Sequence, residues 1–538
     1  MDGAALLVKT LERLRVKYIF GIPGDTKDNK GKTAEALFFK ELKKSSKIKF
    51  IRTTHEQSAG FMADTYGRLT GKAGVCYTTL GPGATNIGTA IKNAHSDRSP
   101  LVCITSQLPK TSWHVDTHQF VNMKKEFSHK SKLQITIENV NEIPQKLQLA
   151  FKIAEEERPG PVHIVLPVDI LDDSFNSKIK ISSKINRQKK NFPNISSVIK
   201  EIKRAQFPII LVGGAVIRQN ATNELIKFMG KFNIYALSTF QGKGAIPSNH
   251  PLYLGVLSRH LPKTAESIRK SDLLINIGYD YAEGIKPKIW SEGIRKKIIN
   301  IDTSTRTGQK FYRPDIDIVC DYKYFFKKIN SSNLTPKKYK YLPFHRFDPK
   351  NYKFSKEDFP IDPLNLIKKL RVLLDNQDII IVDVGEHKQY MGLFFEIYLP
   401  KTINFSNGQS TMGFSVPGAI AAKILNKDKR VVAIVGDGSF QMTASEFITA
   451  VNYNLPITVI ILNDGAYGII KYEQEKVFGG SFGVDFRNPD FVKLAQAYGG
   501  EGFRINSAKN LTSTLKKALN SEKVAIVDVP ITYKNRLW

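Results

Sequence analysis

The sequence has few cysteines and no long apolar run, the features that cross-link small secreted proteins or anchor proteins in a bilayer. Among its 538 residues are three cysteines, and Cys76, Cys103 and Cys320 form neither a C-x-x-C pair nor a zinc-binding spacing. The apolar run Ile209 to Ile217 is too short to span a bilayer. No charged segment followed by an apolar segment and a cleavage site opens the chain. We therefore expect buried thiols in a reducing compartment, with the cytoplasm as the location.

Acidic residues are few relative to basic ones. The chain carries 80 Lys and Arg against 50 Asp and Glu, a net charge of +30. Such a charge can indicate a nucleic-acid partner, but the lysines are spread along the chain, without a zinc-finger, basic-zipper or RNA-recognition signature. A solvated basic surface is the favoured interpretation, with no specific nucleic acid and no membrane as partner. A nucleic-acid-binding protein with an inert fold is the remote alternative.

The composition is that of a globular α/β protein. Hydrophobic residues make up 41% and charged residues 24%, which excludes disorder of the whole chain and a collagen-like or coiled-coil fibre. Strand and helix signals alternate, which favours parallel sheets flanked by helices. Lysine-rich polar stretches at about 172–194 and 330–360 divide the chain into predicted domains 1–172, 195–328 and 361–538. The predicted strands are Tyr18 to Gly21, Lys49 to Thr54, Ala73 to Thr79, Pro100 to Thr105, Val162 to Pro167, Pro208 to Val212, Asp272 to Ile277, Lys297 to Ile301, Asp378 to Val382, Arg430 to Val435, Ile457 to Leu462 and Lys523 to Val529.

The strongest chemical motif is a strand–helix–strand unit in the third domain. A buried strand runs into Gly436-Asp437-Gly438-Ser439, and the strand after the next helix runs into Asn463-Asp464-Gly465. In open α/β sheets, ligands bind at these carboxyl ends of the strands. Glycine lets the backbone approach an anion, a serine and amides at a helix start suit a phosphate, and carboxylate oxygens suit Mg²⁺. A lone Gly-Asp-Gly is usually a tight turn, but this frame predicts a Mg²⁺–diphosphate site.

The unit resembles the fingerprint of thiamine-diphosphate enzymes, in which Gly-Asp-Gly is followed after a helix and a strand by Asn-Asn. The resemblance implies Mg²⁺ bound by Asp437, Asp464 and the backbone carbonyl of Ala466, with Gly438 and Ser439 contacting the cofactor. Asp464 stands where the family more often has Asn. It keeps an oxygen ligand and adds a negative charge.

A second motif lies in the first domain, where Glu56 stands at the end of a strand and the start of a helix. Its purely structural interpretation is a glutamate in the first turn of a helix, where the negative charge interacts favourably with the helix dipole. The resemblance implies instead the catalytic glutamate, which hydrogen-bonds the cofactor's aminopyrimidine ring and needs a largely dry cleft. The match continues through the turn at Gly24 and through Leu80 to Gly88, which includes Asn86. A dinucleotide-loop interpretation of Gly81-Pro82-Gly83 is disfavoured, because Asn86 replaces the third glycine and no acid closes the next strand.

Two further segments match the family. Val382 to Met391 resembles the stretch that contacts the diphosphate, with Gly385 and His387 as the implied contacts. Glu386 is a departure there, since a Gln is common and a Glu would repel the diphosphate unless protonated or turned away. The stretch around Ser410 and Met412 resembles the one that grips the aminopyrimidine: the Ser410 carbonyl would accept a hydrogen bond, and Met412 would be the wedge beneath the cofactor rather than a plain core methionine.

The chain most resembles acetolactate synthase large subunits and catabolic acetolactate synthases, over nearly its whole length. The resemblance implies a thiamine-diphosphate-binding fold with an N-terminal pyrimidine-binding, a central and a C-terminal diphosphate- and Mg²⁺-binding domain. It implies decarboxylation of pyruvate with carboligation to a second 2-oxo acid, in branched-chain amino acid biosynthesis. Alternatives on the same cofactor are a non-ligating 2-oxo acid decarboxylase and a pyruvate oxidase. His118 and Gln119 are candidate substrate residues.

The resemblance also bears on flavin and on assembly. Gly213-Gly214 after a strand could approach a nucleotide, but a glycine pair is more often a turn, and the loop Gly255 to His260 departs from the glycine-rich form of flavin binders. We therefore expect no tightly held FAD. In the family, the glutamate of one subunit serves the metal site of another, so a homodimer is the minimum working unit and a dimer of dimers is compatible.

Overall fold

A computed structural model of the chain describes residues 1–28, 31, 33–176, 179, 194–258, 262–288, 295–305, 312–332, 357–534 and 536. These residues form three six-stranded sheets in which every strand pair is parallel. The predicted fold class is therefore confirmed. Most of both predicted linkers, and residues 259–260 of the loop after Gly255, lie outside the described residues.

The first sheet has the strand order β2-β1-β3-β4-β6-β5. Its central strands, such as β4, are buried along their whole length, as expected of a parallel sheet covered on both faces. The strands are β1 (Tyr18–Gly21), β2 (Lys49–Arg52), β3 (Gly74–Thr78), β4 (Leu101–Gln107), β5 (Leu133–Thr136) and β6 (Pro161–Pro167). The helices of this region are α1 (Gly3–Arg13), α2 (Glu35–Lys44), α3 (Glu56–Thr70), α4 (Pro82–Ser96), α5 (Met123–Phe127) and α6 (Ile143–Glu155).

The second sheet has the order β12-β11-β10-β7-β8-β9. Counted from its first strand, this is the 3-2-1-4-5-6 order of dinucleotide-binding folds, with the switch point between β7 and β10. The strands are β7 (Pro208–Val212), β8 (Tyr235–Ser238), β9 (Tyr253–Val256), β10 (Leu273–Ile277), β11 (Lys297–Asp302) and β12 (Ile316–Val319). The helices are α7 (Ser196–Arg204), α8 (Ala215–Arg218), α9 (Thr222–Phe232), α10 (Pro262–Lys270) and α11 (Tyr322–Asn330).

The third sheet has the order β14-β13-β15-β16-β18-β17. Counted from its own first strand, this order is the same as that of the first sheet. The strands are β13 (Ile379–Val382), β14 (Ile403–Phe405), β15 (Val431–Gly436), β16 (Thr458–Asn463), β17 (Glu501–Arg504) and β18 (Ala525–Pro530). The helices are α12 (Pro363–Leu373), α13 (Glu386–Phe394), α14 (Ser415–Leu425), α15 (Asp437–Thr443), α16 (Phe447–Asn452), α17 (Gly468–Phe478), α18 (Phe491–Ala497) and α19 (Leu511–Leu519).

The chain forms two compact units, one of residues 1–187, 409–427 and 442–455, the other of residues 188–408, 428–441 and 456–538. In the first unit, α14 packs on α3, where the Phe61 and Phe414 rings meet edge to face at 5.6 Å. Segments of the predicted third domain thus join the first sheet's unit, and the domain boundaries stay a prediction. Cys76, Cys103 and Cys320 are buried thiols, as expected. No helix among the described residues is long and apolar enough to cross a bilayer.

Candidate active site

The Asp437 carboxylate sits where two neighbouring strands of the third sheet end. Asp437 follows β15 and is buried. Its Oδ1 accepts a hydrogen bond from the Gly438 amide at 2.9 Å. Its Oδ2 accepts from the Gly465 amide at 2.8 Å and from Asn488 Nδ2 at 2.6 Å. Because Gly465 follows β16 by two residues, these contacts bring together the two motifs that the sequence analysis paired.

The second predicted carboxylate, Asp464, lies in a strongly anionic setting. A Cβ placed on Gly468 would lie 2.6 Å from Asp464 Oδ2 and 3.2 Å from Glu386 Oε2, so the two carboxylates approach the same point. Burial, followed by the charges of Asp437 and Glu386, raises the pKa of Asp464 to about 7. Burial also raises the pKa of Asp437, against its hydrogen bonds from Asn488, Gly465 and Gly438. The cluster carries excess negative charge that a cation would neutralise.

Asn488 is a functional candidate that the sequence analysis missed. Its amide nitrogen contacts Asp437 and also donates to Asn463 Oδ1 at 2.9 Å. Asn463 in turn donates to Asp528 Oδ1 at 2.9 Å, and Gln441 donates to Asn488 Oδ1 at 2.7 Å. Asn488 lies 51 residues from Asp437 in the chain, in a loop before α18, so no local pattern marked it.

The remaining predicted metal and phosphate residues lie in the same two loops. Ala466 is buried and forms an isolated antiparallel bridge with Asp485. The Ser439 hydroxyl donates to the Val384 carbonyl at 3.0 Å, which leaves the backbone amide rather than the hydroxyl proton for an anion. A Cβ on Gly438 would lie 2.7 Å from the Tyr467 ring, so a larger residue would clash there. Among the described residues, no group of three or more His, Cys, Asp or Glu side chains could hold a metal, and the predicted set has only two.

Gly385 and His387 follow β13 at the same edge of the sheet. Gly385 has φ +153, and a Cβ there would lie 2.8 Å from the His387 ring, so glycine is required. The same ring lies 3.3 Å from the position of a Cβ on Gly436, just before Asp437. Burial lowers the pKa of His387 to about 3, which keeps the ring neutral. Its Nε2 is buried and has no hydrogen-bond partner among the described residues.

In the first unit, Glu56 is the first residue of α3 and is buried. Its Oε2 accepts a hydrogen bond from Asn86 Nδ2 at 3.0 Å, and its Oε1 lies 3.5 Å from the position of a Cβ on Gly83. Glu56 and Asn86, each predicted to contact the cofactor, therefore meet directly, because the starts of α3 and α4 are neighbours.

The predicted substrate residues lie on an exposed loop. Both His118 and Gln119 are exposed, and Gln119 has φ +59. A Cβ on Gly81 would lie 2.9 Å from Gln119 Cβ. Gly81 immediately precedes α4, so Gln119 lies beside the helix start that carries Gly83. His118 makes no hydrogen bond or ion pair with the described residues of the site.

Gly24, Ser410 and Met412 also lie in the first unit. A Cβ on Gly24 would lie 2.3 Å from Oε2 of Glu35, a buried carboxylate that accepts hydrogen bonds from Thr26, Tyr77 and Thr79. Ser410 is exposed, with φ +51. Met412 is only partly buried and is not among the core side chains, which agrees poorly with a plain core methionine.

Comparisons with known proteins match the chain to one family. Family models described as the N-terminal TPP binding domain, the central domain and the C-terminal TPP binding domain of thiamine pyrophosphate enzymes match residues 1–130, 195–329 and 383–529.

Similar proteins cover the chain nearly end to end. A probable acetolactate synthase large subunit of Methanococcus aeolicus is 35% identical over 99% of this chain and 92% of its own length. The corresponding protein of Methanocaldococcus jannaschii is 34% identical over the same shares, and an acetolactate synthase of Bacillus subtilis is 30% identical over 99% of this chain and 94% of its own length. The chain therefore belongs to the thiamine pyrophosphate enzyme family, in the group that includes these acetolactate synthases.

Proposed function

We propose that the chain is an acetolactate synthase, which uses thiamine diphosphate and Mg²⁺ to decarboxylate pyruvate and join the remaining two-carbon unit to a second 2-oxo acid. The end-to-end similarity to acetolactate synthases supports this proposal. The observation that carries it is the hydrogen bond from the Gly465 amide to Asp437 Oδ2, which holds this carboxylate close to that of Asp464. When bound, the cofactor supplies an electron sink for the charge left behind as carbon dioxide departs.

The residues at the end of the third sheet fit a magnesium diphosphate. Asp437, Asp464 and the Ala466 carbonyl offer oxygen ligands, which Mg²⁺ prefers. The buried Nε2 of His387 has no partner among the described residues and needs one. It would donate to a diphosphate oxygen once it carries a proton, since a diphosphate oxygen accepts hydrogen bonds. Gly385 has no side chain to block the approach. Gly438, whose own amide donates to Asp437 Oδ1, would let the cofactor approach the backbone, and Ser439 would add its backbone amide at the start of α15.

The residues of the first unit would activate and hold the other end of the cofactor. Glu56 would exchange a proton with the aminopyrimidine ring, and its burial strengthens that hydrogen bond by excluding water. Asn86, at 3.0 Å, fixes the carboxylate's orientation. We also assign Gly24, the Ser410 carbonyl and Met412 to the grip on this ring, and His118 and Gln119 to the substrate side.

We infer that the central sheet holds no tightly bound flavin. In folds with this strand order, a nucleotide would bind at the carboxyl ends of the strands that correspond to β7 and β10. There the Gly214 amide already donates to Glu283 Oε1 at 3.1 Å, and the Thr239 hydroxyl donates to Oε2. Burial raises the pKa of Glu283 to about 7. The Glu283 carboxylate thus occupies the Gly214 and Thr239 donors that a phosphate would use. When ionised, it would also repel a phosphate. A stoichiometric flavin absorbance band in the purified protein would contradict the inference.

We propose a homodimer, with a dimer of dimers compatible, in which Glu56 of one chain serves the Asp437 site of another. Co-expression of Glu56→Gln and Asp437→Ala chains tests this arrangement. Random pairing of two such chains would leave about a quarter of the sites with both residues intact, so the mixture would regain activity that neither variant shows alone. Activity no greater than the sum of the separate variants would contradict shared sites.

Turnover of pyruvate is the decisive test of the reaction. Purified protein is assayed with thiamine diphosphate and Mg²⁺, with and without FAD, and the products are identified. We expect acetolactate, loss of turnover with a Mg²⁺ chelator, and no effect of FAD. Acetaldehyde would indicate a non-ligating decarboxylase, and acetate with peroxide an oxidase. Growth of an acetolactate-synthase-deficient bacterium without branched-chain amino acids would test the biosynthetic role.

A further inference from the structure

The proposed diphosphate site contains a carboxylate, Glu386, that has no role in binding either the diphosphate or Mg²⁺. Glu386 lies between Gly385 and His387, the two residues assigned to the diphosphate, and is only 3% exposed. Its Oε2 approaches Asp464 Oδ2 across Gly468. A buried anion here would repel both a bound diphosphate and the two carboxylates assigned to the metal. The residue therefore needs a cation of its own.

Arg536 supplies that cation from the far end of the chain. Its Nε donates to Glu386 Oε1 at 2.7 Å and its Nη2 to Oε2 at 3.3 Å. This two-point geometry is the strong form of an arginine–carboxylate pair. Glu386 has only 2% of its side chain exposed and Arg536 has 22%, so solvent screens the pair weakly.

Two tyrosine rings fix the position of the guanidinium. Arg536 lies 4.4 Å from the centroid of the Tyr472 ring and 5.9 Å from that of Tyr533. Tyr472 is on α17, the helix that follows the Asp464 loop, and Tyr533 is buried. Cation–π contacts at these distances favour one placement of the charge. The arginine is thus tied to the carboxylate and to the helix after the metal loop.

We propose that Arg536 is a positioning residue for cofactor binding, which neutralises Glu386 so that a diphosphate and Mg²⁺ can occupy the neighbouring loops. This inference rests on the proposed function. Removing one partner of a buried ion pair leaves an uncompensated charge, whereas removing both does not. The structure therefore predicts an asymmetry: loss of Arg536 alone is harmful to cofactor binding, and loss of Glu386 together with it is not.

The test is the affinity of the full-length protein for thiamine diphosphate at saturating Mg²⁺, measured by calorimetry. Arg536→Gln should bind about tenfold or more weakly than the wild type, because one buried charge is left beside the diphosphate. Glu386→Gln should bind at least as tightly as the wild type. The Glu386→Gln/Arg536→Gln double variant should return to within about threefold of Glu386→Gln.

Lys476→Gln is the matched control. Lys476 Nζ lies 4.0 Å from the centroid of the same Tyr472 ring, and its residue is exposed. Its substitution removes one positive charge without touching Glu386, so the affinity should stay near the wild-type value. A loss equal to that of Arg536→Gln would show a general charge effect and overturn the proposal.

The remaining outcomes separate this inference from the proposed function. Wild-type affinity in Arg536→Gln, or a double variant as weak as Arg536→Gln, overturns the inference alone. A wild-type protein that binds no thiamine diphosphate overturns the proposed function as well. If Arg536→Gln does not fold, the comparison of the double variant with Glu386→Gln still decides, because neutralisation requires their affinities to agree.

Discussion

The first and third sheets share one strand order but present different chemistry at the ends of their strands. The first offers the buried carboxylate of Glu56, held by one side-chain amide from Asn86. The third offers Asp437 and Asp464 on adjacent loops, with Asp437 held largely by backbone amides. A common topology thus fixes where loops converge, and the loop residues decide what they bind. We infer that one sheet moves a proton and the other holds a metal.

Two buried histidines, one in the first sheet and one after a strand of the third, differ in their hydrogen bonding. His163, in β6, stacks on Phe127 at 3.8 Å, and its ring nitrogens contact Thr105 at 2.9 Å and Gln134 at 3.3 Å. His387, after β13, has an Nε2 without a partner among the described residues. Burial lowers the pKa of each ring to about 3. Equal burial therefore does not imply equal roles. We infer that the satisfied ring is structural and that the unsatisfied one contacts the cofactor.

The largest expected effect comes from Glu56→Gln. Losing general acid–base chemistry should lower kcat by about 10²- to 10⁴-fold, whereas thiamine diphosphate affinity should change by less than about tenfold, since a glutamine side chain is nearly isosteric. Steady-state kinetics and calorimetry give the two numbers. Glu138→Gln, an exposed carboxylate in the same region, is the control. Full turnover in Glu56→Gln would contradict the assignment of proton transfer to the first sheet and of metal binding to the third.

The next effect comes from Asn488→Ala. Removing a group that orients a metal ligand lowers metal affinity by about 10- to 100-fold, so Mg²⁺ titration of cofactor binding should shift by that amount, while kcat at saturating Mg²⁺ stays close to wild type. Gln441→Ala removes only the hydrogen bond to Asn488 Oδ1 and should have a much smaller effect. Equal shifts in the two variants would show that Asn488 does not act through Asp437.

A smaller effect separates the two histidines. His387→Ala should weaken thiamine diphosphate binding by about tenfold, the worth of a hydrogen bond to a charged group, with little change in the stability of the cofactor-free protein. His163→Ala should lower the free energy of unfolding by about 3 kcal/mol, the scale for truncating a buried ring, without changing that affinity. Calorimetry and denaturant unfolding measure both. A reversal of the two results would contradict the assignment.

The last expected effect, a change of slope rather than of a single value, is a pH dependence of stability. Because the pKa of His163 in the folded chain, about 3, lies below the usual value of about 6.5, its contribution is fully present above pH ~6.5. It is lost as the pH falls toward ~3, at about 1.4 kcal/mol per pH unit. His163→Gln should therefore show a shallower loss of stability between pH ~6 and ~4 in denaturant unfolding. An unchanged slope would mean that His163 is charged in the folded protein.

The sequence predicted the centres of the sheets better than their edges. Central strands such as β7 and β15 are uninterrupted apolar runs, which single-chain patterns detect. The edge strand β2 was predicted, but the edge strands β5, β12 and β17 were missed. These three are short and partly exposed and therefore contain polar residues. The shared order of the first and third sheets depends on those edges, so it emerged only from the structure.

The site divides in the same way. Asp437 and Glu56 were predictable because each stands at a strand end within a local motif. Asn488 was not, since its partners are 25 and 51 residues away. Nor was the pairing of Glu386 with Arg536, which are 150 residues apart. The expected ways for Glu386 to avoid repelling the diphosphate were protonation or turning away, and the structure shows a third arrangement, an ion pair with Arg536.

The amino-acid sequence by itself determined the parallel α/β class, the two motifs and the family to which they point, because these depend on periodicity and short spacings along the chain. Tertiary structure decided which buried groups are satisfied, which carboxylates share a space and which distant cation offsets them. The physical reason is that hydrogen bonds and charges act through distance in space, and chain separations of 50 to 150 residues carry no information about that distance until the chain has folded.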